Sequence, residues 1–159
     1  MCMCVNCQAT YEDDEHPKEK HIHTLIEWVD TDLKGTGNTY QRDKVNIISL
    51  FQKRVEGHPW KVVLKTLTVI HMLFRDADVA FVEEFATYGS RSILITRCGQ
   101  YADRESVNGL SHSGFIREYA RYLYEKAHNF NELSFNVEKK LDPANKSFFN
   151  DYTLISLGN

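Results

Sequence analysis

One segment constrains the fold of this 159-residue chain more than any other, the run from Trp60 to Phe74. Trp60, Val63, Leu64, Leu67, Ile70 or His71, and Phe74 recur at spacings of three and four, the period of one face of an α-helix. Lys61 and Lys65 stand off that face. A stripe this complete has to be covered by neighbouring elements, so the segment reads as a central core helix with the Trp60 ring buried at its start. His71 lies close to the apolar face with no second ligand in sight, and reads as a hydrogen-bonded core histidine.

Further stripes flank it. Ile22, Leu25, Ile26 and Val29 predict a helix from Pro17 to Asp32, and Lys34-Gly35-Thr36-Gly37-Asn38 a turn after it. Val45, Ile47 or Ile48, Phe51 and Val55 predict a helix from Arg42 to Arg54, which Gly57-His58-Pro59 stops before the core helix begins. Asp78 is placed to cap a short helix through Phe81, Val82, Phe85 and Ala86, broken at Tyr88-Gly89-Ser90. Ser92 to Cys98 is a further short apolar piece, and Tyr101 to Ser113 is polar and loop-like.

Ser113 is placed to cap a long helix reaching about Lys139. Its inner stripe is Phe115, Ile116, Tyr119, Ala120, Leu123, Ala127 and Phe130, with Arg117, Arg121 and Lys126 facing solvent. The sum is an all-α domain of roughly six to eight helices, stacked as a right-handed superhelical solenoid or a compact orthogonal bundle. One domain spans 1–159: a helix end and acidic loop over 1–16, a helical core over 17–139, and a further helix or tail over 140–159.

Composition narrows the function. A formal charge of -3 argues against a general nucleic-acid binder. Cysteines at 2, 4, 7 and 98 make no disulfide framework, which suits a reducing compartment and a cytoplasmic location. Cys4 and Cys7 have the gap of a zinc half-site, with Cys2, His16, His21 and His23 as completions, but no second pair at finger spacing. Lipidation of the cysteine cluster is the other role open to it. No nucleophile–base pair, metal set or nucleotide loop is present, so neither an enzyme nor a cofactor is expected.

The stretch that carries chemistry is Pro17-Lys18-Glu19-Lys20-His21. With Pro17 in a first helical turn, Lys18, Lys20 and His21 fall beside amides that lack an intrahelical partner. Amide donors, the positive end of the helix dipole and two ammonium groups suit a multiply charged anion such as a phosphate. Taken alone, the stretch reads more readily as a solvated first turn with its lysines in water.

Three stretches in order resemble the ANTH domain of the CALM-type endocytic clathrin adaptors. Gln8-Ala9-Thr10 followed at this spacing by Pro17-Lys18-Glu19-Lys20-His21-Ile22 looks like the family's lipid signature. Trp60-Lys61-Val62-Val63-Leu64-Lys65-Thr66-Leu67 resembles its core helix, and Phe115 to Ala127 is close to a later one. The resemblance implies a solenoid shared with ENTH domains and recruitment to phosphatidylinositol 4,5-bisphosphate at the plasma membrane and clathrin-coated pits. Clathrin and the adaptor complex are then partners through regions absent from this chain, and SNARE helices are cargo.

Carried over by position, Lys18, Lys20 and His21 match the headgroup residues, and Gln8 stands where the family has another lysine. A neutral amide there weakens one contact to phosphate. The acidic run Glu12-Asp13-Asp14-Glu15 adds repulsion that the family loop lacks. The same resemblance implies helices before residue 1 and after residue 159, which makes this chain either incomplete at both ends or a divergent short form. A helical solenoid that binds SNARE or sorting peptides without any phosphoinositide is the alternative.

Overall fold

The computed structural model describes residues 2–33 and 47–133. The turn expected at Lys34–Asn38, the start of the helix expected from Arg42, the extension to Lys139 and the segment Leu141–Asn159 lie outside the described residues. Among those described, six α-helices follow one another: α1 (Cys2–Ala9), α2 (Glu19–Leu33), α3 (Ile47–Val55), α4 (Trp60–Asp76), α5 (Val79–Tyr88) and α6 (Gly109–Leu133). A π-helical stretch, Ser90–Arg97, and a 3-10 turn, Cys98–Gln100, lie between α5 and α6. No strand occurs among them.

The helix α4 is the hub, touching α1, α2, α3, α5 and α6. Neighbours on so many sides bury a second ridge, Val62, Thr66, Val69 and Leu73, beside the expected Val63, Leu67, Ile70 and Phe74. The edges of the expected stripe lose in exchange. Trp60 and Leu64 are only partly buried, so the prediction of a buried Trp60 ring is corrected: the ring lies at the border of the core and stacks on His112 at 3.7 Å.

Local chemistry fixes the joints. Gly57 takes φ 69°, a left-handed conformation that ends α3 at no steric cost. Pro59 then occupies the N-cap of α4 and offers no side-chain acceptor. The acceptor comes from far along the chain, where the Asp103 carboxylate receives the Trp60 N–H at 3.0 Å. Asp78 caps α5 as expected, accepting from the Ala80 N–H at 3.0 Å, while its own N–H donates to Asp30 of α2. Phe74 and Phe85 pack edge to face near this joint, and Phe81 is tilted against both.

Three expectations about α6 are corrected. The helix starts at Gly109, so Ser113 lies inside it; its hydroxyl donates to the Gly109 carbonyl at 2.6 Å and accepts from the Asp103 N–H at 2.9 Å. A Cβ at Gly109 would stand 2.6 Å from the Asp103 carbonyl oxygen, so the close approach that starts α6 requires glycine. Phe115 leaves the inner stripe and is 58% exposed, because only α6 positions nearer Ile116 and Ala120 meet the core. Lys126, expected in solvent, turns toward α4 and donates to His71 Nε2 at 3.1 Å. An ammonium can only donate, so His71 carries its proton on Nδ1, directed at the Tyr119 hydroxyl at 2.8 Å. His71 is hydrogen-bonded as expected, at the edge of the core.

Candidate functional site

The stretch singled out by sequence lies where α1 hands over to α2. The expectation that Pro17 opens the first turn is corrected: Pro17 is buried and stands before the helix, and α2 begins at Glu19. The Lys18 carbonyl accepts from the His21 N–H at 2.9 Å and the Ile22 N–H at 3.3 Å, which makes Lys18 the N-cap residue. Glu19 and Lys20 therefore contribute the leading amides, with no earlier turn to supply carbonyls. Ile22, Leu25 and Val29 point into the core and fix the rotation of α2. That rotation leaves the Lys18 and Lys20 side chains exposed and His21 half-buried.

The three groups act on one another. The imidazole of His21 is held below its ordinary value of 6.5, first by burial and then by the charges of Lys20 and Lys18. It is therefore mainly neutral at pH 7, and able to donate one N–H. Glu19 is exposed in the same turn, and Glu12 and Glu15 are exposed in the loop that precedes it. Gln8 belongs to a separate element: it is exposed in the last turn of α1, and the packing of α1 on α2 relates it to the others.

Ala9 and Thr10, beside Gln8, are buried and structural. The Thr10 hydroxyl donates to the Asn6 carbonyl at 2.7 Å. Arg54 of α3 donates to the Thr10 hydroxyl at 2.8 Å and to its carbonyl at 2.7 Å, placing a cation at the C-terminal end of α1.

The acidic run has a role that sequence reasoning missed. Lys61 pairs with Asp14 at 2.6 Å, and Lys65 pairs with Asp13 and also donates to the Tyr11 carbonyl at 2.9 Å. The Lys65 ammonium holds the Asp13 carboxyl below its ordinary value, with a smaller contribution from Lys18. Two carboxylates therefore fasten the loop to α4, so the expected repulsion from the run is reduced at Asp13 and Asp14. The signal was present as two adjacent acids and two lysines one helical turn apart, but nothing in the sequence aligns them.

Between this loop, α4 and α6 opens a cleft of about 370 Å³, bordered by Pro17, Trp60, Leu64, Phe115 and Tyr119. No three His, Cys, Asp or Glu side chains converge on a metal-sized point among the described residues. No helix among them is long and apolar enough to cross a membrane.

The model of the ANTH domain matches residues 6–152. The human clathrin coat assembly protein AP180 is 31% identical over 133 residues, which cover 84% of this chain and 13% of that protein. The human phosphatidylinositol-binding clathrin assembly protein is 32% identical over 133 residues, covering 84% of this chain and 19% of that protein. A putative clathrin assembly protein of Arabidopsis thaliana is 28% identical over 137 residues, covering 86% and 19%. The chain thus spans less than a fifth of the length of these relatives.

Proposed function

The chain belongs to the ANTH domain family of clathrin assembly proteins, a non-enzymatic family, and from that premise we propose that it binds the headgroup of phosphatidylinositol 4,5-bisphosphate and recruits a clathrin-coat adaptor to the membrane. Lys18 and Lys20 hold the inositol phosphates as compact point charges, and the leading amides of α2 donate to them. His21 donates a hydrogen bond and gains a charge when phosphate raises its pKa. Gln8 adds a neutral contact at the edge.

The observation that supports this most is electrostatic. Lys18 and Lys20 are exposed beside the leading amides of α2, and after burial, which comes first, their charges help to hold the His21 imidazole below its ordinary value. An incoming phosphate relieves that repulsion.

Attachment through this site is weak. A basic residue beside an anionic leaflet is worth about 1 kcal/mol, so three give about 3 kcal/mol, short of the ~4.1 kcal/mol of a millimolar complex. Recruitment therefore depends on avidity, several headgroups or several copies held in a coat. Clathrin, the adaptor complex and SNARE cargo are proposed partners of the whole protein, at plasma-membrane coated pits. The same proposal takes the helical stack as part of a right-handed superhelical solenoid and residues 1–159 as one ANTH unit.

The test is vesicle pelleting with and without phosphatidylinositol 4,5-bisphosphate, for the parent chain and for Lys18→Glu with Lys20→Glu. The double variant should lose binding while its helical circular dichroism is unchanged. Binding that persists after the lipid phosphates are removed would instead favour something other than headgroup capture.

A further inference from the structure

Helical periodicity puts Phe115 on the inner stripe of α6, yet its ring is 58% exposed while Ile116, Ala120, Leu123 and Ala127 are fully enclosed. The ring does not stand alone. Phe115 and Tyr119 lie 5.8 Å apart between centroids, Tyr119 and Tyr122 stack at 6.4 Å, and Tyr122 is 49% exposed. The Lys126 ammonium stands 5.9 Å from the Tyr122 ring and closes the ladder with a cation. At its other end, Phe115 borders the same cleft as Pro17, the residue that leads into Lys18.

Two exposed rings, Phe115 and Tyr122, joined through the partly buried Tyr119, mark a surface that something covers. What covers this one has to suit a basic turn at one end of the edge and, at the other, a lysine that already donates to His71. It also meets an opening where Asp13 and Asp14 are already paired with Lys65 and Lys61. Aromatic rings interleaved with cations match the boundary between anionic headgroups and acyl chains, where apolar side chains sink a few ångströms and basic ones stay with the phosphates.

We propose that Phe115, with the ring edges of Tyr119 and Tyr122, is the apolar half of the membrane contact, entering the headgroup–acyl boundary beside the phosphoinositide held by Lys18 and Lys20. This rests on the headgroup assignment above, and the two divide the work by ligand. Lys18 and Lys20 act on phosphates whether free or in a bilayer, whereas Phe115 acts only where a bilayer is present.

Two ligands separate them: soluble inositol trisphosphate, and phosphatidylcholine vesicles containing phosphatidylinositol 4,5-bisphosphate. Phe115→Ala should weaken vesicle binding about tenfold, or 1.4 kcal/mol, and leave inositol trisphosphate binding unchanged. Lys18→Glu should weaken both. A tryptophan placed by Phe115→Trp should be quenched by brominated acyl chains beyond the background from Trp28 and Trp60. Vesicle binding by Phe115→Ala equal to the parent, or no added quenching, assigns the aromatic edge to a protein partner and overturns the proposal. If the parent binds neither ligand, the headgroup assignment fails first and this one falls with it. If the parent binds the soluble ligand but Phe115→Ala matches it on vesicles, only the apolar half fails.

Discussion

Lys65 of α4 holds two groups of the α1–α2 connection at once, the Asp13 carboxylate and the Tyr11 carbonyl, with the latter at 2.9 Å. The Lys65 side chain is 12% exposed and that of Asp13 38%, so this staple is enclosed on the lysine side only. The neighbouring Lys61–Asp14 pair is different, with the Asp14 side chain 86% exposed. The two pairs look alike in sequence and should behave differently.

Replacing Lys65 by Met should therefore lower the melting temperature and weaken vesicle binding, because the loop that delivers Pro17 and Lys18 loses its anchor. Lys61→Met should change stability by less than about 1 kcal/mol, as exposed pairs do. Thermal melts and vesicle pelleting of the two variants check this; equal effects would mean the loop is held by other contacts.

Restoring a cation at the end of α1 gives a second expectation. Gln8 is exposed, so Gln8→Lys carries little folding cost, and one further basic contact of about 1 kcal/mol corresponds to about fivefold tighter vesicle binding. Titration of vesicles containing phosphatidylinositol 4,5-bisphosphate at two salt concentrations measures it, and the gain should shrink at higher salt. No gain would mean that position 8 does not meet the lipid.

The pH dependence of binding follows from His21. Burial, then Lys20 and Lys18, hold its pKa below 6.5 in the free protein, whereas a bound phosphate favours the charged form. Binding therefore takes up a proton, and affinity should rise as pH falls through 6.5 toward the lowered free value. His21→Gln should flatten that part of the profile while retaining whatever slope the phosphates contribute themselves. Identical slopes for parent and variant would remove His21 from the site.

Acid stability tests the long-range cap of α4. The Asp103 carboxyl is pulled down to about 2 by its bonds to Ser106, opposed by burial and assisted by the Trp60 and Glu105 N–H groups. A depressed carboxylate stabilises the fold fully above its unfolded value of 3.8, and that contribution is lost as pH falls from there through about 2. Asp103→Ala should destabilise by about 1–2 kcal/mol near neutrality, as loss of a cap does. The gap between parent and variant should close toward pH 2; a gap that persists would mean the carboxylate's charge is not what matters.

What could be read from the chain and what could not divide along a physical line. The helices of the core, the Asp78 cap, the Gly57-Pro59 joint and the basic first turn of α2 were legible because each depends on residues within one or two turns of one another. Periodicity, capping and turn chemistry are local, and Lys18, Lys20 and His21 are neighbours whatever the rest of the chain does.

Everything decided by a distant partner was not legible. Trp60 fell to the edge of the core because α4 is enclosed on several sides and its buried arc widened toward Val62 and Val69. Phe115 was left outward because α6 meets the core along Ile116 and Ala120. Asp103 capping Trp60, Arg54 gripping Thr10 and Lys65 fastening Asp13 each join residues more than forty positions apart. A sequence specifies which groups can form such bonds, but only the packing of helix on helix brings them within reach.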